Sequence, residues 1–352
     1  DTIMLSTVGD SAVGAVGTAN TYIGIFIIMF HVVSSGMIAV MTQYIGAKRI
    51  GVAYQARQLG AVFNAVIGVA LSVFLYVFSE NILEIVGVAP LLMEYAKTYL
   101  KIVGGACFLN ALIPIFSSYL RAFGHTRQPL AATVAANILN LCLNAVFLFV
   151  FRFGVAGVAA ATVISRVVNL VLVMIFSKLL VKANEDSERL KNKEVFAQII
   201  KVGLPSAMET ALYNVAMTLT IRYLNQMDEN GFNVTARAYA AQIANFSYCA
   251  GAALAQANAI MTGWRIGEGD FEACDRGTKK AACIGICIAA GLETAFVLCA
   301  GWLIRLFTDD VEMIALVRTL LTIDIALEVG RVTNLVFGQA LKTSGDALFT
   351  TV

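Results

Sequence analysis

Charge is what this chain has least of. Asp, Glu, Lys and Arg make up 14% of its 352 residues, against about a quarter in a soluble domain. Ser11 to Ala47 holds no charged residue, and neither do the runs 58–79, 102–120, 128–151 and 238–264. A helix needs about 20 apolar residues to cross the hydrocarbon core, so each run is long enough to span. Histidine is also scarce, with only His31 and His125, and none of the seven cysteines forms a Cys-x-x-Cys pair. A metal centre therefore has no ligand set, and the cysteines read as small buried hydrophobes. No signal peptide is visible. The apolar runs are continuous rather than alternating, which excludes an outer-membrane barrel.

What is present is hydrophobic: 59% of the residues, with a mean hydropathy of +0.78. Three more spans emerge if one internal charge is allowed: 153–177 with Arg166, 202–221 with Glu209 and 281–304 with Glu293. The span 319–341 holds three, Asp324, Glu328 and Arg331. The fold class is an all-α polytopic membrane protein. The net charge of +2 hides an asymmetry, because alternate loops hold 16 Lys and Arg against seven on the opposite face. The positive-inside rule then places the segment Lys178–Lys201 in the cytoplasm. Its basic loops read as topology signals and contacts to membrane lipid, and no nucleic-acid module accompanies them.

One passage of the chain occurs twice, displaced by 221 residues. Ile45-Gly46 returns as Ile266-Gly267, Lys97-Thr98-x-Leu100-x-Ile102 as Arg318-Thr319-x-Leu321-x-Ile323, and Leu120-Arg121-x-x-Gly124 as Leu341-Lys342-x-x-Gly345. Duplicated membrane units of this kind build many secondary transporters, with the substrate between the copies. The pattern predicts a stub at residues 1–6 and nine spans, at 11–40, 57–79, 95–119, 128–151, 154–181, 202–224, 235–263, 277–304 and 314–341. If each copy is 221 residues long, about 20 residues are expected before Asp1 and about 70 after Val352. Twelve helices would then form two parallel six-helix repeats about a pseudo-two-fold axis along the membrane normal. The expected organisation is an N-terminal lobe over 1–181, a cytoplasmic linker over 182–200 and a C-terminal lobe over 201–352.

An ionisable group within the bilayer costs from about 3 to more than 10 kcal/mol, so each needs a reason. Asp324, Glu328 and Arg331 fall at i, i+4 and i+7 and share one helical stripe, with Asn334 a turn further. Their repeat partners Val103, Cys107 and Asn110 are uncharged, so the fold does not require charge there. A guanidinium beside Glu328 would answer its charge, leaving Asp324 to exchange a proton or ion; the alternative is a neutralised pair that fixes packing. Asn137, Asn140 and Asn144 line one helix face, for cation coordination or interhelical bonding. Tyr22, Tyr213, Tyr239, Tyr248 and Phe246 could offer a cation aromatic faces. Arg166 is expected to pair with a carboxylate or snorkel. His31 reads as a packing residue, and Glu293 is open between a lipid-rim position and a role.

Several passages resemble the multidrug and toxic compound extrusion (MATE) family, of the multidrug/oligosaccharidyl-lipid/polysaccharide exporter superfamily. They are Asp1-Thr2-Ile3-Met4 with Val8-Gly9, Gln43-Tyr-Ile-Gly-Ala-Lys-Arg49, Leu120-Arg-Ala-Phe-Gly124 and Asn140-Leu-Cys-Leu-Asn144, then Gly157-Val-Ala-Ala-Ala-Thr162, Gly203-Leu-Pro-Ser206 and Ile266-Gly-Glu-Gly-Asp270. The resemblance implies two six-helix lobes around a central cavity and exchange of an organic, often cationic, substrate against Na⁺ or H⁺. It also implies an ion or proton site at Asp1. In one proton-linked branch of the family Asn144 would be an aspartate, and in the sodium-coupled branch a glutamate stands at Tyr213 and an aspartate at Arg331. This chain departs from the family at all three. Glu209, on the same helix as Tyr213, is expected to face the cavity.

The expected function is an ion-driven efflux antiporter in the plasma membrane, of the bacterial inner-membrane type. Asp1, Asn140, Asn144, Glu209, Asp324, Glu328 and Arg331 would carry ion coupling. Asn137, Tyr213, Tyr239, Tyr248 and Asn334 would line the substrate cavity. A small organic substrate and membrane lipid are the partners, no cofactor beyond Na⁺ or H⁺ is called for, and a monomer is expected. A flippase for a lipid-linked saccharide is the alternative, but only two intramembrane arginines stand against five acids. An enzyme would need a catalytic constellation, and neither a Ser/His/Asp grouping nor His-Glu-x-x-His is present.

Overall fold

The computed structural model describes residues 2–5, 10–85, 88–181, 189–227, 232–306, 308 and 310–350. They form α1 (Thr2–Leu5), α2 (Asp10–Gly46), α3 (Ile50–Val77), α4 (Ser79–Ile85), α5 (Pro90–Tyr99), α6 (Phe108–Ala122) and α7 (Arg127–Ala145). These are followed by α8 (Gly154–Leu180), α9 (Asn192–Met227), α10 (Phe232–Glu268), α11 (Phe271–Leu298), α12 (Ala300–Leu303) and α13 (Val311–Ser344). Among the described residues there is no strand. All nine expected spans fall on helices. Ile50–Val77, Arg127–Val150, Gly154–Leu180 and Phe271–Leu298 are long and apolar enough to cross a membrane by themselves.

The expected continuous span at 95–119 is broken. A π-helical turn, Leu100–Gly104, follows α5, and the segments on either side of the break diverge by 42°. The adjacent pair Gly104-Gly105 lies at the break, and a wide helical turn beside small residues is where such bends arise.

Helix ends show why the sequence stops where it does. His125 donates its N–H to Leu120 C=O (2.9 Å) and Asp346 to Leu341 C=O (3.1 Å), the six-to-one closure of a helix end. The residue before each donor is a left-handed glycine, Gly124 (φ 81°) and Gly345 (φ 98°). Lys48 (φ 59°) and Gly269 (φ 81°) likewise share a left-handed turn, each donating to an isoleucine carbonyl at 3.0 Å, Ile45 and Ile266. Each of these pairs is related by the 221-residue displacement. At N-termini, Asp270 caps α11 through Ala273 N–H, and Asp310 caps α13 through Glu312 and Met313 N–H.

The chain divides into two compact units, one comprising 1–41 with 49–207 and the other 42–48 with 208–352. In the first, α2 and the start of α9 meet backbone to backbone. A methyl group at Gly36 would stand 1.9 Å from Ile199 C=O, and one at Gly203 would stand 1.8 Å from Val32 C=O. In the second unit the end of α2 seats in the same way on α10: Gly46 backs onto Trp264 C=O and Gly267 onto Gln43 C=O. Small residues are what permit such approach inside a membrane. Gly203→Leu must force α2 and α9 apart, and should cost about 1–3 kcal/mol as overpacking. That loss is measured as a lower thermal midpoint in detergent; an unchanged midpoint would mean the helices do not meet there.

Candidate functional site

The apolar core of the second unit is interrupted at one level. One cluster packs Ile243, Ala300, Met313, Val317 and Leu321, and another packs Ala255, Ala282, Ala289, Val332 and Val336. Between them each helix supplies a polar residue: Ser247 and Tyr248 from α10, Glu293 from α11, Glu328 and Arg331 from α13. Glu328 and Glu293 are both 0% exposed. Arg331 is ion-paired to Glu328 and lies 5.8 Å from the Tyr248 ring centroid. Asp324, one turn before Glu328, is half-buried and within electrostatic reach of Arg331. Val332 holds the level fixed, because its side chain fills the space that a Cβ at Gly251 or Gly285 would need, at 2.5 and 2.6 Å. Arg331 is thereby aimed by the residue beside it.

Glu293, which its sequence leaves open between a lipid-rim position and a role, lies inside the unit. Neither carboxylate oxygen has a hydrogen-bond partner among the described residues, while Asp324, Glu328 and Arg331 all act on it electrostatically and Ser247 stands beside it. The signal was available: Thr278, Ala282, Gly285, Ala289 and Glu293 form the buried stripe of α11. A small-residue face marks a helix interface in membranes, and Glu293 continues it. Three carboxylates and one guanidinium therefore share this level, and a cation added there would lessen the excess of acid.

Other expected site residues lie elsewhere. Glu209 is engaged by Lys342, from the last turn of α13, at 2.6 Å. Tyr213 is 54% exposed, Asn334 is exposed, and Tyr239 packs on the apolar cluster of Leu321. Tyr248 offers its face to Arg331. In the first unit Asn144 is buried and donates to Asn140 Oδ1 at 3.2 Å, whereas Asn137 is exposed. Asp1 and the side chain of His31 lie outside the described residues. Arg166 was expected to pair with a carboxylate or snorkel. Instead its Nη1 is buried without a hydrogen-bond partner among the described residues, near Tyr99 and Cys107.

The MatE family model matches residues 1–146 and 205–352. The chain belongs to the MatE family. The uncharacterized transporter YisQ of Bacillus subtilis is 31% identical over 99% of this MatE chain and 78% of its own length. Human multidrug and toxin extrusion protein 1 is 24% identical over 77% of the chain and 48% of its own. A crystal structure of MATE in the bent conformation superposes with a TM-score of 0.89 at 20% identity, covering 100% of this chain and 78% of that one. A MOP superfamily transporter from Pyrococcus furiosus, whose binding pocket is described as of reverse polarity, scores 0.80 at 21% identity, over 100% and 79%. Both show a shared fold. MatE proteins are multi-pass membrane transporters, and this chain has their helices.

The ion pair between Glu328 and Arg331 in this MatE chain is testable. Glu328→Gln leaves Arg331 without its partner. The loss should be about 2–3 kcal/mol, below the roughly 3–5 of a fully buried pair because the Arg331 side chain is 31% exposed. Adding Arg331→Gln should recover most of the thermal midpoint in a double-mutant cycle. Additive losses would mean the two side chains are not coupled.

Proposed function

We propose that this protein is a secondary antiporter of the plasma membrane that exports organic cations in exchange for Na⁺ or H⁺. The observation that carries the reading is the level at which buried Glu293 and Glu328 meet half-buried Asp324 and Arg331. Carboxylates in hydrocarbon are retained only at substantial cost, and Glu293 is 0% exposed with the Ser247 hydroxyl beside it. A group kept under those conditions gains most from a transient positive partner. An entering ion and a cationic cargo can each supply that charge. Mutual exclusion at one acidic level makes their movements opposite, and differential binding to two conformations turns the exchange into transport.

Roles follow from the surroundings of each acid. Arg331 answers Glu328, so Asp324 and Glu293 are the groups free to take the ion. The chain's own departures from the family fit a rearranged site: arginine stands at 331 and tyrosine at 213, while Glu293 enters from α11. One observation favours a second reading. The buried Nη1 of Arg166 in the first unit would receive an anionic group, as the flippase alternative requires; Arg166→Gln would then abolish transport of an acidic cargo and spare that of a cation.

The deciding experiment is efflux from vesicles containing the protein, with pH and Na⁺ gradients imposed separately. Asp324→Asn and Glu293→Gln should each lower gradient-driven efflux about 5- to 150-fold, the span of an ordinary coupling free energy. Glu293→Gln should meanwhile leave the thermal midpoint unchanged or raised, because it removes an unanswered buried charge. Full efflux by both variants would overturn the assignment of the ion site to this level.

A further inference from the structure

On the cytoplasmic side of the first unit, a cavity of about 430 Å³ opens between α3, α6 and the segment leading into α9. Its polar end is built by two arginines from distant parts of the chain. Arg57, on α3, lies over three rings, 4.4 Å from Tyr54, 5.7 Å from Phe116 and 5.0 Å from Tyr119. Its Nε is buried and has no hydrogen-bond partner among the described residues. Arg189 is brought to the same cavity by Gln55. The Gln55 side chain donates to Leu190 C=O at 2.7 Å and accepts from Leu190 N–H at 3.1 Å, fastening the segment to α3. Asn192 and Gln58 complete the polar lining. Among the described residues no carboxylate pairs with either arginine.

The apolar end continues down the membrane face of α3. Val62 lines the cavity, and Val66, Val69 and Val73 follow at helical spacing, all exposed. Val69 and Val73 then form the wall of a second, almost wholly apolar groove of about 350 Å³ with Gly105 and Phe108. From Val62 to Val73 the helix rises about 16 Å, which is close to half of the roughly 30 Å hydrocarbon core. The positive-inside rule puts the arginine end at the cytoplasmic surface.

We propose that this cavity binds the phosphate headgroup of an anionic phospholipid of the cytoplasmic leaflet, one acyl chain lying along Val62, Val66, Val69 and Val73. A planar guanidinium stacked on rings still presents its N–H edge to phosphate oxygens, and two such donors from separate elements suit a phosphodiester. The valine face gives a lipid an advantage that a free phosphate ion lacks. Bound lipid would also bridge α3 to the segment before α9, and so brace the junction that Gln55 makes.

Binding is measured on the full chain in detergent, by native mass spectrometry and thermal midpoint, with phosphatidylglycerol, phosphatidylcholine or inorganic phosphate added. Phosphatidylglycerol should bind and raise the midpoint. Each arginine near a membrane surface contributes about a fivefold factor in affinity, so Arg189→Gln should weaken binding about fivefold and the Arg57→Gln/Arg189→Gln pair about 25-fold. Arg189 is exposed, so its single variant should fold normally and keeps the test valid if the Arg57 change disturbs the rings. Equal binding of phosphatidylcholine, or undiminished binding of phosphatidylglycerol by Arg189→Gln, would overturn the proposal. Stabilisation by inorganic phosphate alone would overturn the lipid assignment.

Discussion

A charge placed in hydrocarbon has no water to turn to, and the second unit is organised around that fact. Glu328 is tolerable because Arg331 lies within reach on the same helix face. Arg331 keeps its aim because Val332, next in sequence, is wedged between the glycine surfaces of α10 and α11. The two apolar clusters above and below the level close it off at each end. Remove the glycines and the helices separate; remove the guanidinium and a bare carboxylate is left in the core. Packing and electrostatics therefore hold each other in place, with Glu293 buried beside them.

The first unit meets the same packing demand with different chemistry. Val103 and Cys107, the counterparts of Asp324 and Glu328, are buried in an apolar cluster. A guanidinium, that of Arg166, arrives from α8 and acts electrostatically on Cys107. Equivalent helix ends, closed by the same left-handed turns, thus accompany an acidic stripe in one unit and apolar residues at the matching positions of the other. The two units therefore carry unlike side chains on a repeated set of helix ends.

The helical plan was legible because it rests on charge-free runs and local chemistry. The stripe of Asp324, Glu328 and Arg331 could be read from spacing, since all three lie on one helix. Glu293 is harder to read, because its own span gives no hint of a partner and only the small-residue face of α11 points inward. The Glu209–Lys342 pair and the stacking of Phe116 and Tyr119 on Arg57 join residues far apart in sequence, and no local pattern encodes them. The break after Leu100–Gly104 had only the Gly104-Gly105 pair to announce it, inside an otherwise unbroken apolar run.

That break has a consequence for how the two halves can diverge. A π-helical turn holds an extra residue per turn, so every side chain beyond it is rotated about the axis relative to a regular helix. α13 runs unbroken from Val311 to Ser344, while its counterpart is interrupted between Leu100 and Phe108. Transplanting aspartate, glutamate and arginine to 103, 107 and 110 would scatter them around the elbow instead of aligning them. The wide turn thus keeps point substitutions alone from giving one half the aligned stripe of the other.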